Sequence, residues 1–282
     1  FINSLGEKKA NILGLISSFF LIVMPSLLPR TIAGIPEKEA SGFLFLFLYF
    51  YFFLVAWDSK KNIQRYFFAV LSGLATSAMA LVWGGYIFIF ITIAPAVLLS
   101  FMLGQVDRNK IYAYATWLLS AFVVMNYFSI RYAIMNFFFS IYTLVPIVVL
   151  IVMIAHLVLF NTRVRKYLDK PWISKSPPQL VSLILTFVIL TVLAAVLFGP
   201  SFIQGQIENM IDNLVKPATS RLIQTVAENS QPYFVDWAGN FGPIIKNIQL
   251  TFYIFFIGSI CLFYESLNSL NKKRRVMLTL AY

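Results

Sequence analysis

The sequence predicts an all-α polytopic membrane protein, with about eight complete transmembrane helices and a ninth begun. Three observations carry this. Of the 282 residues, 60% are hydrophobic and only 12% charged, whereas soluble domains have about a quarter of their residues charged. The mean hydropathy is +0.80. The apolar residues fall into runs long enough to cross a bilayer, and the basic residues sit in the gaps between them. One water-soluble core cannot bury so much Phe, Leu and Ile at this length, so soluble enzyme folds are excluded.

The runs are Ala10–Pro29, Ser41–Trp57, Phe67–Trp83, Tyr86–Leu103, Ile111–Asn126, Phe137–Phe160, Gln179–Gly199 and Asn247–Leu267. The block from Phe67 to Leu103 is too long for one span. Gly84-Gly85, between Trp83 and Tyr86, is the natural place for a tight reversal at the interfacial aromatic belt. A last apolar run begins at Val276 and is seven residues long at the final Tyr282, and the chain opens on Phe1. The expectation is therefore a transmembrane domain, 1–282, that is part of a longer protein.

The net charge of +11 does not point to nucleic acid. Of the 22 lysines and arginines, all but Arg30, Lys38, Arg131, Lys216, Arg221 and Lys246 fall on one side when the runs alternate, and that side is cytoplasmic. Glu37, Glu39, Glu208, Asp212, Glu228 and Asp236 then lie outside. Arg163-Val164-Arg165-Lys166 and Lys272-Lys273-Arg274-Arg275 are topology determinants. Cys261 is the one cysteine and lies in an apolar run, which excludes an intrachain disulfide and a cysteine metal site. His156, the one histidine, is near the cytoplasmic end of its helix and is read as a packing residue.

Two outer segments hold the six carboxylates: an acidic loop at 30–40 and the 47-residue stretch Pro200–Lys246. In the second, Ile203, Ile207, Met210, Ile211, Leu214 and Val215 recur at helical spacing, with Gln204, Glu208 and Asp212 between them. That pattern predicts an amphipathic helix lying in the membrane surface. In the first, Glu37 and Glu39 stand two apart, and extended backbone would point both the same way. With a third carboxylate from the long loop they can hold a hard divalent cation such as Mg²⁺ or Mn²⁺. On spacing alone the ordinary reading is of solvated loop charges with Lys38 as local counterion.

Arg30-Thr31-Ile32-Ala33-Gly34 followed by Glu37-Lys38-Glu39, Trp83-Gly84-Gly85-Tyr86 with Phe88, and Thr225-Val226-Ala227-Glu228 followed by Gln231-Pro232 occur in this order over the whole chain. Together they resemble the catalytic subunit of oligosaccharyltransferase in its archaeal form. The first resembles that family's Arg-Ser/Thr-x-Ala-Gly segment and second acidic motif, the second its hairpin between adjacent spans, the third its Ser-Val-Ser-Glu motif. The resemblance implies a GT-C-like membrane domain and transfer of a glycan from a dolichyl-type polyprenyl phosphate or pyrophosphate carrier to asparagine in Asn-x-Ser/Thr sequons. It implies Mn²⁺ or Mg²⁺ as cofactor, with Glu37 and Glu39 at the metal and Glu228 at the acceptor amide or the metal. Its partners are the lipid-linked oligosaccharide and an acceptor polypeptide, in a multi-pass protein of the cell membrane.

Departures from the family pattern are Glu37 where Asp is usual, and Ser230, which adds a residue before Gln231-Pro232. The family's first acidic motif would lie upstream of Phe1, and its Trp-Trp-Asp-Tyr-Gly motif belongs to a C-terminal soluble domain. No Trp-Trp pair occurs here, so these residues alone are expected to be inactive. Two other classes share some features. Another polyprenyl-phosphate-sugar glycosyltransferase would share the outer acidic loop but has no need of the Thr225–Glu228 motif. A transporter would bury charge at mid-membrane, which is nearly absent here.

Overall fold

The computed structural model describes residues 7–25, 27–32, 34, 37–161, 177–199, seven positions between 201 and 211, 233–242, 245, 246 and 248–268. The protein is an all-α polytopic membrane protein: the described residues form helices joined by short turns, and their one β pairing is an isolated bridge, Ile245 to Ile248. Ten α-helices are described: α1 (Glu7–Val23), α2 (Lys38–Asp58), α3 (Asn62–Val82), α4 (Ile87–Met102), α5 (Arg108–Phe128), α6 (Ile134–Phe139), α7 (Ile141–Asn161), α8 (Pro178–Phe198), α9 (Phe234–Gly239) and α10 (Leu250–Asn268). Six segments among them are long and apolar enough to cross a membrane: Lys38–Asp58, Asn62–Val82, Gly84–Met102, Arg108–Phe128, Tyr142–Phe160 and Pro178–Phe198. The first and eighth predicted runs appear as α1, only 17 residues long, and α10, whose apolar part is Leu250–Leu262. The run from Val276 lies outside the described residues.

The chain divides into two compact units, Ser41–Asn229 and a second made of Phe1–Ala40 with Ser230–Tyr282. In the first, α3 packs along α5, α4 along α7, and α7 along α8. Lipid is as apolar as leucine, so close backbone approach has to drive such packing. The α3 face supplies it with small residues: Ala69, Ser72, Gly73, Ala75, Thr76, Ser77 and Ala80 are all buried. Trp117 of α5 is fully buried against this face and meets the rings of Tyr49, Phe53, Phe90 and Tyr114.

The turns explain where helices stop. Trp83 is extended, and a Cβ on Gly85 would collide with its ring, so only glycine allows the Gly84–Tyr86 turn to fold back under the indole. This is the predicted hairpin. Gly104 ends α4 at φ +70° with Gln105 N–H bonded to Ser100 O, a left-handed glycine cap. Asp107 caps α5 by accepting from Lys110 N–H at 2.8 Å. Several predicted boundaries shift, and two of the shifts have a visible cause. The helix expected to begin at Phe67 begins at Asn62, where buried Arg65 donates from its two terminal nitrogens to Asn62 Oδ1 and Ser59 O. The run Phe137–Phe160 is broken at Ser140, which is extended, so its first residues belong to α6.

Candidate functional site

The acidic segment folds within the second unit. Pro29 sits in the first turn of a 3₁₀ helix, Leu28–Thr31, where its missing N–H costs nothing. The Thr31 hydroxyl bonds back to Leu27 O and Leu28 O, both at 3.2 Å, fixing this turn and with it Arg30. Gly34 adopts φ +92°, a left-handed conformation that side-chain-bearing residues rarely take. Glu37 then immediately precedes α2, and Lys38-Glu39-Ala40, expected as loop, are helical. The expected extended Glu37-x-Glu39 is therefore corrected: the two carboxylates converge at a helix start, where negative charge is favoured by the helix dipole.

They converge on Arg30. Its Nη1 lies 3.8 Å from Glu37 Oε2 and 3.4 Å from Glu39 Oε1, with all three side chains about one-quarter to one-third exposed. Lys38, the expected counterion, takes part in neither ion pair. Glu37 Oε2 is shut off from solvent and accepts no hydrogen bond. A buried carboxylate oxygen without a hydrogen bond is costly unless a cation stands by it. Beside Arg30 opens a recess of about 540 Å³ lined by Pro25, Pro29, Trp237, Asn240 and Phe241. Its aromatic wall is held by α10: Trp237 and Phe241 pack edge-on against Phe252, with ring centres 4.9 and 5.4 Å apart.

Two carboxylate oxygens on one side of a helix start, one of them lacking a hydrogen bond, are a donor set suited to a hard divalent cation. No third acidic, histidine or cysteine side chain joins them among the described residues. Glu228, the third expected ligand, lies outside the described residues, as do Asp212, Lys216 and Arg221. Of the predicted amphipathic helix, residues 201, 203–205, 207, 208 and 211 are helical, and Gln204 Nε2 donates to Glu208 Oε1 at 2.8 Å.

The other singled-out residues have structural partners within the first unit. Ser182 Oγ donates to Pro178 O and so accepts from His156 Nδ1 at 2.9 Å, while the imidazole lies between the rings of Phe101 and Phe160. The expected packing role for His156 stands. Arg131 is exposed, its guanidinium over the Tyr132 ring, and its carbonyl accepts from Asn136 Nδ2 at 3.0 Å. Tyr132 donates to Ala80 O at 2.7 Å, and burial raises its phenol above the ordinary range. The Arg30 bridge was missed from sequence. Its signal is a basic residue seven before the first glutamate, with Pro29 beside it and Gly34 between them.

Comparison with known proteins matches residues 5–175 to the family model for oligosaccharyl transferase STT3, N-terminal. A curated relative from Oryza sativa subsp. japonica, dolichyl-diphosphooligosaccharide–protein glycosyltransferase subunit STT3A, is 29% identical over 109 residues, 39% of this chain. The match spans 13% of that relative's length. The family match covers more than half of the 282 residues and includes Arg30, Glu37, Glu39 and the Gly84-Gly85 hairpin. The chain belongs to the STT3 oligosaccharyl transferase family.

Proposed function

We propose that the protein transfers an oligosaccharide from a polyprenyl phosphate or pyrophosphate carrier to the asparagine of Asn-x-Ser/Thr sequons. The observation that carries this reading is the convergence of Glu37 and Glu39 beside Arg30, in a family-matched segment next to an open recess. A carboxamide nitrogen is a poor nucleophile, so an acidic group has to engage it while positive charge meets the departing phosphate. Glu37 and Glu39 hold Mn²⁺ or Mg²⁺, which when bound supplies that positive charge as a Lewis acid. Glu228 engages the acceptor amide or completes the metal's ligands. Residues 30–40 and 200–246 face the extracytoplasmic side, where carrier glycan and acceptor meet.

The test is metal-dependent transfer to an Asn-x-Thr peptide, with lipid-linked glycan and the full-length protein in membranes. Glu39→Gln keeps the shape of the side chain and removes its charge. Transfer should fall about tenfold, equivalent to ~1.4 kcal/mol of transition-state stabilisation, with the protein still folded. Unchanged transfer at limiting metal would return the two glutamates to solvated loop charges. A parent that modifies no sequon peptide would favour another polyprenyl-phosphate-sugar glycosyltransferase.

A further inference from the structure

Among the described residues, the cation that pairs with both Glu37 and Glu39 is the protein's own Arg30. Arg30 places a single nitrogen, Nη1, near an oxygen of each carboxylate, so its positive charge already serves the two groups a shared divalent ion would use. A guanidinium and a divalent cation cannot occupy the same point, and each is repelled by the other. Arg30 also borders the recess with Trp237, Asn240 and Phe241, so its side chain has open space beside it and aromatic faces that suit a guanidinium.

We propose that Arg30 is a resident counterion that a divalent cation displaces from Glu37 and Glu39, so that metal binding and release of the Arg30 guanidinium toward the recess are one event. The inference rests on the reading of Glu37 and Glu39 as metal ligands. Three features give it direction. The ion pairs are 3.4 and 3.8 Å long and partly exposed, the weak class that a doubly charged competitor can break. Glu37 Oε2 is shut off from solvent and accepts no hydrogen bond, so the guanidinium leaves that oxygen under-satisfied. Arg30 is anchored by a short 3₁₀ turn, and its long side chain has several rotatable bonds.

The displacement lowers apparent metal affinity, because the metal has to break two ion pairs first. The test measures Mn²⁺ binding to the full-length protein in lipid nanodiscs, by calorimetry and by loss of the free Mn²⁺ spin-resonance signal, without any substrate. Arg30→Gln removes the competitor and should tighten Mn²⁺ binding by roughly tenfold, a coupling of ordinary size. Arg30→Lys keeps the charge and should stay close to the native affinity. Glu39→Gln should weaken binding in either background. A thermal melt of each variant confirms folding, and Mn²⁺ should raise the melting temperature of Arg30→Gln more than that of the native protein.

If Arg30→Gln binds Mn²⁺ no tighter than the native protein, while Glu39→Gln still weakens binding, the displacement is wrong and the metal reading survives. If neither the native protein nor Arg30→Gln binds Mn²⁺, both are overturned. If Arg30→Lys tightens binding as much as Arg30→Gln, charge competition is refuted.

Discussion

The indole Nε1 of Trp117 donates a 3.0 Å hydrogen bond to Oγ1 of Thr76, tying α5 to α3 from inside the helix bundle. The bond begins a chain: Thr76 Oγ1 donates to Ser72 O at 2.9 Å, and Ser72 Oγ donates to Tyr49 O at 3.3 Å, reaching α2. Three helices are thus registered by polar groups where lipid offers no competing partner. All of these residues are fully buried.

Thr76→Val keeps the volume of the side chain and deletes the acceptor of the Trp117 N–H. The bonded pair contributes about 0.6 to 2 kcal/mol in a membrane helix bundle. The variant should therefore unfold a few degrees lower in detergent, followed by loss of monodisperse protein on heating. Trp117→Phe should cost more, since it also opens space among Tyr49, Phe53, Phe90 and Tyr114. The double variant should cost less than the two single losses added; strict additivity would mean that the hydrogen bond contributes nothing.

Gly73 marks the closest approach of α3 and α5. A Cβ there would stand 2.7 Å from Trp117 O and 2.9 Å from Ala121 N, and nearer still to Ser120 Oγ. Backbone atoms of a packed helix cannot give way as a side chain can. Gly73→Ala should therefore destabilise, although alanine is the better helix former by about 1 kcal/mol. Gly258→Ala in α10 meets nothing within 4 Å and should be neutral or stabilising. The same thermal assay reports both, and equal melting temperatures for the two variants would remove the close-approach account.

Hydropathy made the spans legible because a bilayer demands about 20 apolar residues in register. Gly84-Gly85 was legible too, since a single block from Phe67 to Leu103 has to reverse somewhere. Helix ends were not. Arg65 reads as loop in a hydropathy profile, but Ser59 O and Asn62 Oδ1 accept from its terminal nitrogens where α3 starts, before the apolar run. Ser140 is invisible in a run of Phe and Ile, yet its extended backbone separates α6 from α7. At the candidate site, Glu37 and Glu39 were singled out by the family resemblance, and their neighbourhood was not legible. Lys38 looked like the counterion because it is adjacent in sequence, while the turn at Leu28–Thr31 brings Arg30 to them instead.

Sidedness is the premise of every assignment to the outer face. In a Cys261→Ser background, a cysteine at exposed Arg131 should react with a membrane-impermeant maleimide in intact cells. A cysteine at exposed Lys60, in the turn between α2 and α3, should react only after the membrane is opened. The reverse pattern would invert the topology and place residues 30–40 on the cytoplasmic side.

Glu228 is the most discriminating of the expected site residues, because oligosaccharyl transfer explains a carboxylate there and the two alternative classes do not. If it engages the acceptor amide, Glu228→Gln in the full-length protein should depress transfer to an Asn-x-Thr peptide at least about tenfold, with binding of lipid-linked glycan largely intact. Glu208→Gln is the matched control: it is exposed, in the same long segment, and its carboxylate is already engaged by Gln204 at 2.8 Å. It should change transfer little. Because an amide at position 228 can still accept a hydrogen bond but carries no charge, a large loss would assign the role to charge rather than to shape. Raising the peptide concentration separates the remaining possibilities. A defect in acceptor binding shows as a higher KM that excess peptide relieves, and a defect in activating the amide persists as a lower kcat at saturation. Equal activity of the two variants would remove the acceptor role of Glu228 and leave the chemistry to other carboxylates, Glu37 and Glu39 among them.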